Sequence, residues 1–336
     1  TNLTVLTGCF ITRVLFEGQR AVGVEYRKGG QMLIARAEQE VVLSAGAINS
    51  PRLLMLSGVG DAKKLRELDI DVVVDRPGVG QNLQDHIDVQ VKITCSQPVS
   101  DTPCLELHNK ILIGLEWLLF KTGPGATNHF EVGGYIRSRT GLKQPDLMLF
   151  FIPLLVKNDG SRLGDRHGYQ STAVVCRPES RGYVTLRSNN PAEAPRIFCN
   201  YLSEPNDFLL LKDGIERMRD VFGQKAFDSY RGKEIKPGPT DVETYIRETA
   251  KSTHHLSCTC PMGNDEQSVV DGSGRVHETL GLRVVDASVM PTIASAALNA
   301  TVIMVAEKMV DDIAGVEPLA PMRTEASQAL AYARDR

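Results

Sequence analysis

A chain of 336 residues holds one large domain or two, and 42% hydrophobic with 24% charged residues is a globular composition. A net charge of −3 leaves no basic surface for nucleic acid. No apolar run reaches the roughly 18 residues of a membrane span. The longest candidate, 111–120, is broken by Glu116, so only peripheral membrane attachment stays open.

In chain order, Leu3–Leu6, Ile11–Phe16, Ala21–Tyr26 and Gln31–Ala37 alternate as strands, with Glu17-Gly18 and Lys28-Gly29-Gly30 as turns. Val41–Leu43 is a short buried strand. Lys63–Leu68 reads as helix, Val72–Val74 as strand, and 78–86 as a Gly-rich loop with polar ends. After Asp88 come strands at 89–97 and 129–137 around a helix at Asn109–Phe120. Strands at Asp146–Pro153, Gln170–Cys176, Arg181–Leu186 and Arg196–Cys199 follow, then helices at Asn206–Phe222 and Asp241–Lys251. Such a run suggests an antiparallel sheet flanked by helices. A strand at Leu282–Val285 and a helix at Thr301–Ile313 close the pattern.

The seven cysteines are odd in number and scattered, which favours free thiols in a reducing compartment, cytoplasm or mitochondrial matrix. Cys258-Thr259-Cys260 lacks CxxC spacing and has no second pair, so no metal is expected.

Three strings carry chemistry. In residues 44–60, SAGAINSPRLLMLSGVG, a small polar turn follows the strand. A helix is then expected with Pro51 in its first turn and Gly58 and Gly60 closing it. Small residues let the backbone approach a flat or anionic group, and a helix N-terminus offers free N–H donors; an ordinary packing turn uses the same pattern. The second string, residues 254–263, sets His254 and His255 before Ser257-Cys258-Thr259-Cys260. An imidazole with a pKa of about 6.5 suits proton transfer at neutral pH, although paired histidines also serve as surface polarity or satisfied core groups. The third, residues 282–291, is a strand ending in Asp286-Ala287-Ser288, which presents polar groups to a nucleotide or caps the next element.

Taken together, these strings resemble the glucose-methanol-choline (GMC) oxidoreductases, nearest their choline dehydrogenase branch. The resemblance implies that His255, not His254, accepts the hydroxyl proton as hydride passes to flavin N5. It implies FAD contacts at Asp286 and Ala287 (ribityl and pyrophosphate), at Ile11 (main chain to adenine) and at Asn299 (flavin region). In the 78–86 loop, Asn82 and His86 line the pocket or brace it, with bracing preferred. Residues 127–134 resemble the same branch, so Glu131 and Phe130 would meet a cationic head group. Similar strings occur with uncharged substrates. Trp117 is expected to fill the core.

The chain departs from the family at Ala297, where a His or Asn is usual. Alanine cannot hold an alcohol oxygen. The Gly-x-Gly-x-x-Gly turn is also missing, since Gly78-Val79-Gly80 lacks the third glycine and leads into no helix. The resemblance therefore covers the C-terminal part of a family member. It implies an N-terminal FAD-binding segment before Thr1 or on another chain, and apolar surface left for it to cover.

The expected fold is α/β (α+β): a partial FAD-binding domain at 1–88 and 251–316, a substrate-binding domain at 89–250, and a tail at 317–336. The implied activity is FAD-dependent oxidation of a small primary alcohol, choline-like or aliphatic, to an aldehyde, with the electron acceptor left open. The alternatives are an incomplete or non-catalytic flavoprotein module, or a lyase on the GMC fold.

Overall fold

The computed structural model describes residues 2–157, 161, 163–164 and 166–317; the expected tail beyond residue 317 lies outside them. Strands β1 (Phe10–Glu17), β2 (Arg20–Lys28) and β3 (Gln31–Arg36) form an antiparallel meander. Next come β4 (Val41–Leu43), α1 (Gly46–Leu56), β5 (Val59–Gly60), α2 (Ala62–Glu67) and β6 (Val74–Asp75). The middle of the chain holds β7 (Ile87–Cys95), α3 (Leu107–Phe120), β8 (Val132–Ile136), β9 (Leu147–Ile152), β10 (Gly168–Val175), β11 (Tyr183–Thr185) and β12 (Arg196–Phe198). Then follow α4 (Pro205–Phe222), β13 (Arg231–Lys236), α5 (Val242–Thr249), β14 (Lys251–Ser252), β15 (Leu282–Val284) and α6 (Leu298–Ala314).

The main sheet runs β13-β7-β10-β9-β8, with β14 also on β7, and every pairing is antiparallel. Alternation along β7 explains its two faces. Ile87, Val89, Val91 and Ile93 point into a core shared with Leu211, Ile215, Met218 and Phe222 of α4. Asp88 and Lys92 are also buried, but on the opposite face. Helix α4 presses hard on the sheet, because a Cβ on Gly214 would stand 2.6 Å from that of Ala173. A second core surrounds the parallel pair β4–β15, with Leu54, Val59, Val284 and Val289 fully buried.

Four expectations are corrected. Leu3–Leu6 is not a strand; Leu3, Val5 and Leu6 are exposed with no ladder partner. β13 went unread because Arg231–Lys236 is mostly charged. Trp117 is not in the core: α3 buries none of its residues, and the Lys121 ammonium sits 3.8 Å over the indole. Lastly, α1 starts at Gly46, so Pro51 stands at its sixth position rather than in its first turn. Pro51 has no N–H to give the carbonyl of Ala47, four residues back. The Thr259 hydroxyl donates to that carbonyl instead, at 2.7 Å. A contact across 212 residues thus makes the proline tolerable.

Candidate active site

The loop 78–86 and the segment 253–263 run side by side, tied by backbone bonds between Gln84 and Ser257 in both directions. The loop closes tightly at Gly80, whose φ is +79° and where a Cβ would meet the Val184 carbonyl at 2.2 Å. This pairing sets His86, at the mouth of β7, against His255. Their Nδ1 atoms are 2.8 Å apart and the rings meet edge to face.

The surrounding acceptors fix the protons. His86 Nε2 lies 3.0 Å from the carbonyls of both Cys176 and Ala294, and carbonyls only accept. His86 therefore carries its proton on Nε2 and presents a bare Nδ1. The short contact then requires a proton on His255 Nδ1. Thr253 agrees: its hydroxyl donates to the His86 carbonyl at 2.8 Å, so at 3.3 Å from His255 Nδ1 it can only accept. His255 Nε2 is left as a lone pair, and among the described residues no donor reaches it. Burial and the neighbouring His255 hold the His86 pKa down to about 4. Burial also lowers that of His255, against the pull of Asp85. Both rings are neutral at pH 7.

Asp85 holds the frame. Its carboxylate accepts the His255 backbone N–H at 2.9 Å and the Tyr201 hydroxyl at 2.5 Å. His254 has a left-handed backbone, φ 62°, which turns its own side chain to solvent while His255 faces inward. Asp85, Thr253 and Tyr201 were not singled out in the sequence. The adjacent Asp-His pair was a readable signal; Tyr201 carried none.

Asp286 is buried and saturated, accepting from Gly46 N, Ser50 Oγ, Ser288 N and Ser288 Oγ at 2.5–2.9 Å. It clamps the start of α1 to the end of β15. The Ala287 carbonyl takes the Cys258 N–H. Asn82 braces: its amide donates to the carbonyls of Cys258 and Pro291 and accepts from Gln84. Ile11 lies half-buried in β1. Asn299 is exposed in the first turn of α6, whose N-cap residue, Ala297, supplies no side-chain cap. Leu298 packs with Cys258, three residues beyond His255, which brings the start of α6 to the histidine pair.

Glu131 and Phe130 lie elsewhere. Val132 is level with Phe151, Ser171 and Val91 across the sheet. Three strand spacings and about five residues of rise separate it from His86, on the order of 20 Å. Phe130 is exposed and packs edge to face on Phe150, and Glu131 accepts from Thr127. Asp101, His129 and Glu131 bring ligand atoms within 4.8 Å of one another on this rim.

No helix among the described residues is long and apolar enough to cross a membrane. All seven cysteines are free.

Comparison with known proteins gives the family. The chain is 48% identical over 327 residues to the oxygen-dependent choline dehydrogenase of Pseudomonas fluorescens, covering 95% of this chain and 58% of that protein. It is 46% identical over 324 residues to that of Burkholderia vietnamiensis, covering 95% and 57%. The chain thus spans little more than half the length of these relatives. Among solved structures, pyridoxine 4-oxidase from Mesorbium loti superposes with a TM-score of 0.80 at 26% identity, over 94% of this chain and 59% of that one. Formate oxidase from Aspergillus oryzae gives 0.85 at 25%, over 91% and 60%. The N- and C-terminal GMC oxidoreductase family models match residues 1–88 and 178–306, and the chain belongs to the GMC oxidoreductase family.

Proposed function

We propose that this chain carries the proton-accepting half of an FAD-dependent alcohol oxidation, R–CH2OH to R–CHO. The observation that carries the reading is the bare Nε2 of His255, whose proton is held on Nδ1 by the contact with His86 while burial keeps the ring neutral. The residues present fit a flavin: the uncapped N-terminus of α6, flanked by exposed Ala297, Asn299 and Ala300, suits an electron-rich flat group beside His255. When bound, FAD supplies the hydride acceptor.

The chain's own residues handle the proton. The alcohol O–H donates to His255 Nε2, and as hydride leaves the carbon the proton transfers to that nitrogen. The imidazolium keeps its Nδ1–H on His86, and the carboxylate of Asp85 favours the new charge. Glu131 and Phe130 are proposed as a recruiting rim for a cationic alcohol such as choline. With Asp101 they offer carboxylates and an exposed ring, and such a field raises the local concentration of a cation without touching the reacting carbon. Asp286, Ala287, Ile11 and Asn82 are proposed to shape the cofactor side of the site.

We divide the chain at 1–88 and 251–316 for the cofactor and 89–250 for the substrate, with the sheet running two residues further through β14. The free thiols support a reducing compartment, and the exposed apolar α3 supports peripheral membrane contact.

The test is a visible spectrum of FAD-loaded protein before and after anaerobic choline or a long-chain alcohol. Bleaching is expected. Bound flavin that does not bleach would move the reading to a lyase; no bound flavin would move it to an incomplete or non-catalytic module.

A further inference from the structure

A cavity of about 440 Å³ opens on the polar face of β7 and is lined by Asp88, Gln90, Lys92, Lys157, Lys236 and Lys251 among others. Alternation puts Asp88, Gln90 and Lys92 on the face that also carries His86. Four ammonium groups and one carboxyl group meet there, in a chain whose net charge is −3. Lys92 is 6% exposed and donates to the Val156 carbonyl, which leaves two of its three donors. Asp88 is 4% exposed, and its Oδ1 is buried with no hydrogen-bond partner among the described residues. Buried polar groups left in this way cost free energy unless something satisfies them. No hydrogen bond joins the two side chains, whose Cα atoms stand four residues, about 13 Å, apart along the strand.

We propose that this cavity binds a small molecule bearing an oxyanion, a carboxylate or a phosphate, with Lys92 and Asp88 as its inner contacts. Lysines converging on one space repel a metal ion and attract an anion. The volume falls within the range of small-ligand sites. Burial, followed by repulsion from Lys251 and Lys236, lowers the Lys92 pKa to about 8; an anion between the ammonium groups would relieve this. Burial pushes Asp88 up to about 7, so near neutrality its O–H is available to donate to an oxyanion. The site lies three strands from the acidic rim at Glu131 and does not depend on it.

Two sources share this chemistry: an organic hydroxy acid and a free inorganic oxyanion. The full chain is melted in increasing sodium phosphate and, separately, sodium 3-hydroxypropanoate, each against sodium chloride of equal ionic strength. Both oxyanions are expected to raise Tm saturably where chloride does not. Lys92→Met is expected to weaken half-saturation about tenfold or more, and Lys236→Gln, at an exposed position that tolerates change, in the same direction. Tighter binding of 3-hydroxypropanoate than of phosphate assigns the site to an organic acid; equal or weaker binding assigns it to an inorganic oxyanion. A Tm that follows ionic strength alone, or half-saturation unchanged in Lys236→Gln, overturns the proposal. The readout needs no turnover, so it fails or succeeds separately from the redox reading.

Discussion

His86 and His255 face each other Nδ1 to Nδ1 at 2.8 Å, and one proton serves that contact. The two carbonyls at His86 Nε2 decide its owner, so a buried histidine that touches no reactant sets the tautomer of one that would. In the Ser-His-Asp triad a buried group orients the base in the same way, and the wrong tautomer there costs orders of magnitude.

His255→Ala in FAD-loaded protein should lower the rate of anaerobic flavin reduction by about 10²–10⁴ with flavin still bound. His86→Gln should lower the same rate by a smaller factor while leaving alcohol affinity nearly unchanged. It should also move the acid limb of the pH profile, which in the parent lies below the ordinary histidine value because burial lowers His255. An acid limb that stays in place in His86→Gln would remove the tautomer argument.

Stability should report His86 as well. Its folded pKa is about 4 against 6.5 when unfolded. The neutral ring is therefore fully favourable above pH 6.5, and that stability is lost as pH falls towards 4, where both states are protonated. The slope is about 1.4 kcal/mol per pH unit, on the order of 3 kcal/mol in total. Asp88 acts oppositely: its raised folded pKa, about 7, makes stability rise as pH falls through the same range. The parent's own profile is thus blunted. The difference between parent and His86→Gln removes the Asp88 contribution, and urea titrations at about pH 7, 5.5 and 4 should show the parent losing ground steadily. A constant gap would mean that His86 is not buried neutral.

What could be read in advance follows from how local each signal was. Apolar runs between turn signals located β7, β8, β9 and β10, four of the six strands of the main sheet, and a longer apolar pattern located α4. β13 carries too much charge to show its period, and it pairs by backbone on β7. The start of α1 depends on Asp286, 240 residues from Gly46, and on Thr259, so no local rule placed it. His255 was legible by resemblance; the proton assignment was not, because it needs the carbonyls of Cys176 and Ala294 in space. Lys92 was read only as a strand residue and Asp88 only as the boundary before the strand, since alternation alone cannot tell a solvated polar face from a covered one.

The thiols give a chemical check on burial. Cys176, Cys258 and Cys260 are fully buried, and burial pushes Cys176 and Cys258 up to about 12 and Cys260 higher still. Only the thiolate is nucleophilic, so these three should resist alkylation in the native protein. Cys9, Cys95, Cys104 and Cys199 are partly accessible. Mass spectrometry after brief iodoacetamide treatment should find label confined to those four, with all seven labelled in denaturant. Native label on Cys258 would mean that the loop carrying His255 opens freely.

Ala297 offers the most direct repair. It is the N-cap of α6 with φ −52° and ψ 132°, an extended geometry that an N-cap asparagine adopts without strain. In Ala297→Asn the new side chain should therefore accept from one of the uncapped amides and stabilise the protein by about 1 kcal/mol, read as a shift in the urea midpoint. The resemblance to the family implies a polar partner at this position, and Leu298 beside it packs against Cys258 of the His255 segment. If turnover lacks only that partner, the variant should gain in flavin reduction rate towards the 10²–10³ that one such donor is worth, about the ceiling for a single contact. The two readouts separate the roles. More stability without faster reduction would make Ala297 a helix cap and nothing more. Faster reduction with the N-cap amides still in fast hydrogen exchange would show the introduced amide engaged with the alcohol instead of the helix.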